Sequence, residues 1–228
     1  MYVDIYYLIL VVPMIILSIV CQVNVSSTFK KFGKVSNARG LTGAEAARNL
    51  LKRNGILDVK IELVKGRLTD HYDPKTKVLR LSNDVYTGSS VAALGVAAHE
   101  TGHAVQHAEA YGPIALRGAL VPMANIGSMA GPYVAMIGLI FSSGLLITIG
   151  IILFSIAVVF YLVTLPVEFN ASGRALEMLE KDGMLSAKEI EGSKKVLQAA
   201  ALTYVASALV AVMSLARLVL LSRNRRRD

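Results

Sequence analysis

The sequence predicts a mainly α-helical integral membrane protein with about four membrane helices and a small α+β domain holding a short antiparallel sheet. Three observations predict it. Hydrophobic residues make up 54% of the chain and charged residues 18%, against about a quarter charged in a soluble domain. The apolar residues are gathered near the N-terminus, after Gly112 and after Leu197 rather than spread evenly. Between them lie two polar stretches, 30–90 and 170–195, which carry most of the charge, and the first of them shows strand-like alternation.

Residues 5–23 are apolar apart from Ser18 and Gln22, and a helix of that length crosses roughly 30 Å of hydrocarbon. No Lys or Arg precedes this run and no A-x-A-like site ends it, so it reads as a retained anchor rather than a cleaved signal peptide. Cys21, the single cysteine, lies inside it and excludes an intrachain disulfide. Residues 119–141 and 145–165 are two further spans, separated only by Ser142-Ser143-Gly144. So short a connection forces an antiparallel hairpin whose outer ends share one side of the bilayer. Gly118, Gly127, Ser128, Gly131 and Gly138 offer small surfaces for close packing of that pair. Residues 199–221 form a last, Ala-rich segment with Arg217 near its end. It reads as a fourth span, or else as a helix lying in the interface.

The polar part opens with Thr42-Gly43-Ala44-Glu45, a capping box followed by Ala46, Ala47, Leu50 and Leu51 and ended by Gly55. Residues 59–63 alternate with period two, and Lys65-Gly66 supplies a turn. Residues 67–72 and 77–82 flank Asp73-Pro74-Lys75-Thr76, which completes a small antiparallel sheet. Ser89 or Ser90 can cap the next helix, which carries the histidines. Later, Pro166 suits the first turn of a helix that runs through Leu179 and stops near Gly183. Ser186-Ala187-Lys188-Glu189 is a second capping box, leading toward the last apolar segment.

Net charge is +8, but aromatic residues are not interleaved with the basic ones, so nucleic acid is excluded as a partner. The basic residues flank apolar stretches instead, which suits anionic lipid headgroups. Ten of them, among them Lys30, Lys31, Lys34, Arg117 and Lys181, fall on the face bearing the polar domain. The positive-inside rule places that face in the cytoplasm. If the last segment spans, Arg223, Arg225, Arg226 and Arg227 end on the opposite face and work against that assignment.

His99-Glu100-Thr101-Gly102-His103 carries the chemistry. On a helix His99 and His103 stand one turn apart on one face, so two imidazoles can meet one ion. Zinc takes such nitrogen ligands in tetrahedral sites, here expected at one Zn2+ per chain. Glu100 can then act as general base toward a zinc-activated water. A third ligand must come from elsewhere. His107 continues the same face but lies about 12 Å along the axis from His99, and Glu109 shares that difficulty. Glu168 is the stronger candidate, because the hairpin returns the chain to the face it left and a carboxylate so near an apolar segment needs a partner.

With these residues in view, the chain resembles the YugP-like membrane zinc metallopeptidases. The resemblance rests on Asp70-His71-Tyr72-Asp73-Pro74 with Leu79-Arg80-Leu81-Ser82, on residues 97–106, and on Leu165-Pro166-Val167-Glu168-Phe169. The layout is also similar to the HtpX group of gluzincins, where a membrane hairpin separates the H-E-x-x-H helix from the helix bearing the glutamate ligand. The resemblance implies a zincin-like catalytic domain with zinc held by His99, His103 and Glu168 and with Glu100 catalytic. In HtpX-like enzymes an Asp four residues after the ligand Glu steadies a histidine. That position is Ser172 here, and Asn170 is an alternative. His71, Tyr72 and Arg174 are candidate substrate or oxyanion contacts.

The expected organisation is an N-terminal membrane helix (1–25), a catalytic part with the small sheet and the histidine helix (26–112), and the membrane hairpin (113–167). A helix bearing the third ligand with a polar helical segment (168–198) and a C-terminal membrane helix with a basic tail (199–228) follow. The expected activity is hydrolysis of peptide bonds in membrane or misfolded proteins at the membrane surface, with a protein or peptide substrate and the lipid bilayer as partners. The alternatives are an intramembrane, site-two-like protease and a non-catalytic zinc-stabilised scaffold. About eight apolar residues precede His99, too few to span, and a purely structural zinc site needs no base.

Overall fold

The computed structural model describes residues 4–225, so Arg226 and Arg227 of the basic tail lie outside the described residues. A π-helical turn at Tyr7–Val11 leads into α1 (Val12–Phe32), followed by α2 (Gly43–Arg53), β1 (Lys60–Val64), β2 (His71–Asp73) and β3 (Val78–Ser82). The chain continues through α3 (Asn83–Tyr86), α4 (Val91–Ala108), α5 (Gly112–Ile140), α6 (Gly144–Lys181) and α7 (Ala187–Arg225). Among the described residues, four helices are long and apolar enough to cross a membrane: Tyr7–Phe32, Gly112–Ile140, Gly144–Lys181 and Ala187–Asn224. The protein is a mainly α, multi-pass membrane protein with a small sheet.

Two compact units are present. Of the described residues, the first takes 4–22, 115–166 and 202–225. Within it α5 and α6 form the expected hairpin, at a separation only glycine allows. A Cβ on Gly127 would stand 2.2 Å from the Leu153 carbonyl oxygen, and one on Gly150 would stand 2.3 Å from the Ala135 nitrogen. In lipid, where apolar side chains gain nothing by leaving solvent, such close backbone contact supplies the packing energy. The start of α1 meets the end of α7 through Asp4 and Arg217, 2.6 Å apart, with the Arg217 guanidinium over the Tyr7 ring. Each charge satisfies the other where a lone one would be costly.

The second unit takes residues 23–114 and 167–201. Its centre is α4, which lies between two apolar clusters. Ala92, Ala97, Ala104 and Val105 face one, with Leu79, Leu81 and Val85. Val91, Leu94 and Ala98 face the other, with Leu50, Leu179 and Leu185. A helix apolar all round is one meant for burial, and the Ala- and Gly-rich first half of α4 admits neighbours on every side. The Ser90 hydroxyl caps it, accepting from Ala93 N–H. The Thr42–Glu45 capping box forms on α2, and the Glu189 carboxylate caps back onto the Ser186 N–H and hydroxyl.

Three local expectations change. The sheet is mixed, in the order β1-β3-β2: β2 and β3 pair antiparallel as expected, but β1 pairs parallel to β3. The buried Val78, Leu79 and Leu81 send β3 to the centre, where both faces are covered. The tight Asp73–Thr76 turn then fixes β2 on one flank, and β1 takes the other. The second strand is also shorter than expected, because the chain from Arg67 to Asp70 is irregular, with Leu68 at φ 55°. Finally, Pro166 does not start a helix; it lies inside the 38-residue α6. Proline removes the helical hydrogen bond to the Leu162 carbonyl, but an apolar helix packed on neighbours tolerates the loss. The last capping box likewise opens a single helix, α7, continuous with the apolar segment.

Candidate metal centre

Helix α4 presents His99 and His103 on one face, their ring centroids 4.7 Å apart and nearly perpendicular. Helix α6 brings Glu168 against them. Glu168 Oε2 lies 3.2 Å from His99 Nε2 and 3.6 Å from His103 Nε2, and its side chain is only 2% exposed. One ligand atom from each of the three lies within 4.8 Å of the others. Among the described residues no other such group of His, Cys, Asp and Glu occurs.

Donor atoms held tetrahedrally at zinc–ligand distances stand roughly 3.3 Å apart. The two distances to Glu168 bracket that value, so the donor set fits a zinc ion in both type and spacing. The electrostatics agree. Burial alone disfavours a charged His103, yet its hydrogen bond to Glu168 and the fields of Glu100 and Glu168 outweigh it and raise the imidazole's pKa. The pocket therefore favours positive charge where a cation would sit. Glu100 is buried on the same helix, and burial pushes its carboxyl above the ordinary range against the opposing pull of His99 and His103.

The approach of α6 to α4 depends on Gly102, inside the motif. A Cβ there would stand 2.8 Å from the Ala171 carbonyl oxygen, so a larger residue would hold Glu168 away. Behind the donors, each imidazole has a partner at its other nitrogen. Ser172 Oγ lies 3.1 Å from His99 Nδ1, and Gln106 Oε1 lies 3.0 Å from His103 Nδ1. Such contacts orient a ligating histidine and fix its tautomer. Of the two residues weighed for the contact to a histidine, Ser172 makes it, and Asn170 instead accepts from Gln106 and Arg174. Nothing in the sequence alone assigns Gln106 a role; its partner is set in three dimensions.

The other candidates are elsewhere engaged. The Tyr72 hydroxyl meets His107 Nδ1 at 2.9 Å, and the exposed His71 places Nδ1 2.8 Å from its neighbour Thr69 O. Arg174 makes a 2.7 Å ion pair with Glu109. His107 and Glu109 thus have partners apart from the cluster, in keeping with their distance along α4.

Comparison with known proteins agrees with this geometry. The family model described as "Putative neutral zinc metallopeptidase" matches residues 7–223. The "Putative membrane protease YugP" of Bacillus subtilis (strain 168) is 50% identical over 210 residues, covering 92% of this chain and 93% of that protein. No solved structure matches the chain. Matched over nearly its whole length, the chain belongs to this family of neutral zinc metallopeptidases.

Proposed function

We propose that the protein is a zinc-dependent endopeptidase that cleaves membrane or misfolded proteins at the membrane surface. In this reading His99, His103 and Glu168 hold the ion and Glu100 is the general base. The observation that carries it is the convergence of three buried donors from α4 and α6 with Glu100 one residue from the first of them.

Zinc, when bound, supplies Lewis acidity that polarises the scissile carbonyl and acidifies water. The chain's own groups do the rest. His99, His103 and Glu168 would hold the ion by three protein ligands, the number found in catalytic rather than structural zinc sites. Glu100 takes the proton from the attacking water and passes it to the departing amine nitrogen, so one carboxylate serves as base and then as acid. Strand β2 has β3 on one side only and packs beside α4. Its other edge can pair with an extended substrate through backbone hydrogen bonds. His71, Tyr72 and Arg174 are the side chains proposed to contact that substrate or its oxyanion. Action at the membrane surface is supported by the sequence, in which Glu168 follows directly on the apolar run ending at Leu165.

The test is Glu100→Gln in the full-length protein. It should bind one zinc per chain while casein cleavage falls at least about 100-fold. Full activity of this variant would sink the reading. Cleavage of a substrate inside its transmembrane segment would favour the intramembrane alternative.

A further inference from the structure

The hydrogen bonds behind the metal cluster have a direction, and it is set at a distance. Arg174 has donors and no acceptors. Its Nε lies 2.8 Å from Asn170 Oδ1, so the orientation of the Asn170 amide is fixed with the oxygen toward the arginine. That same oxygen faces Gln106 Nε2 at 2.9 Å, and the Val167 carbonyl faces it at 2.9 Å as well. Two acceptors on one side oblige the Gln106 amide to point its nitrogen there. Its oxygen is then left facing His103 Nδ1 at 3.0 Å. An oxygen can only accept, so His103 carries a proton on Nδ1, and Nε2, which faces Glu168 and His99, is the nitrogen left to bind a metal. That is the tautomer a metal ligand needs. Gln106 is fully buried, with both amide hydrogens used.

We infer that Arg174, Asn170 and Gln106 form a one-way hydrogen-bond chain that locks His103 in its metal-binding tautomer and ties its ring to the helix turn bearing Glu168. The outer end is anchored by the Arg174–Glu109 ion pair at 2.7 Å. Gln106 is thus a positioning residue: it touches neither metal nor substrate, and acts through His103. Arg174 then serves the site from behind, a role that competes with direct contact to substrate. This inference rests on the proposed metal site, but it can fail separately from it.

The experiment measures zinc affinity of the purified full-length protein by competition with a chromophoric chelator, and the visible spectrum of the cobalt-substituted form. Gln106→Met keeps the volume and removes the hydrogen bonds. Gln106→Glu keeps an acceptor for His103 but sets an oxygen against the Val167 and Asn170 oxygens. Each should weaken zinc binding about 10- to 100-fold and alter the cobalt spectrum. Arg174→Met, exposed enough to be accommodated in folding, should weaken zinc by roughly several-fold by freeing the Asn170 amide to flip. Arg174→Lys, which restores a donor, should recover part of that loss. Wild-type affinity and spectrum in Gln106→Met, or unchanged affinity in Arg174→Met, would overturn the inference. If Gln106→Met does not fold, the Arg174 pair decides. Failure of the wild type to bind zinc, or indifference of its zinc affinity to Glu168→Gln, would instead bring down the metal site itself.

Discussion

Replacing Gly102 with alanine should weaken metal binding well beyond its effect on the stability of the fold. Alanine in place of glycine inside a helix contributes about 0.5–1 kcal/mol of stability through backbone entropy. Against this, the new methyl would lie 2.8 Å from the Ala171 carbonyl oxygen. Relief to an ordinary contact requires α4 and α6 to part by roughly 0.6 Å, and such overpacking costs about 1–3 kcal/mol. The net change in stability is therefore small, about 0–2.5 kcal/mol of destabilisation. The effect on the site is not small, because metal–ligand distances tolerate only about 0.2 Å. A displacement of that size moves Glu168, three residues before Ala171 on α6, out of bonding range. Zinc affinity should fall at least about tenfold, with peptidase activity following it. The assay is zinc competition titration alongside thermal melting in detergent. Gly173→Ala is the control: it lies on α6, the helix of Glu168, with nothing within 4 Å of the added methyl, and should leave zinc affinity unchanged. Wild-type zinc affinity in Gly102→Ala would refute the claim that helix separation at this residue sets the third ligand.

Three further outcomes are expected. Ser172→Ala removes the partner of His99 Nδ1 and should lower zinc affinity by about tenfold without a change in melting temperature, as read by the same titration. Asp73 is held at about 2, first by the Thr76 hydroxyl and the Lys75 N–H, below its ordinary 3.8. A depressed carboxyl stabilises the fold when ionised, so its contribution is present above about pH 4 and is lost as pH falls toward 2. Asp73→Asn should flatten that part of the stability–pH profile, and an unchanged profile would show that the turn does not depend on the charge. Arg217→Met leaves Asp4 without its ion-pair partner in the apolar unit and should cost roughly 2–3 kcal/mol. The charge-swapped double variant, Asp4→Arg with Arg217→Asp, should recover most of the lost thermal stability, and failure to do so would assign the loss to packing.

The sequence by itself determined the apolar helices, the hairpin, the caps and the two histidines. Each of these follows from rules of short range. A run of about 20 apolar residues has one stable environment, a three-residue connection permits one hairpin, and i, i+4 spacing puts His99 and His103 on one face whatever surrounds them. Glu168 was reached on the same footing, through the return of the hairpin, and the structure brings it within 3.2 Å of His99. The continuation of α6 through Pro166 and the parallel pairing of β1 were not legible, because neighbours decide both. Proline's lost hydrogen bond is tolerable only where packing offsets it, and a strand's partner depends on which strand is most deeply buried. In the sequence Arg174 reads as a substrate or oxyanion contact and Asn170 as an alternative partner for a histidine, and Gln106 has no role assigned. Their order as donors and acceptors exists only once two helices, more than 60 residues apart in sequence, are laid side by side. Hydrogen-bond direction is a property of paired atoms, so it was settled by the tertiary structure alone.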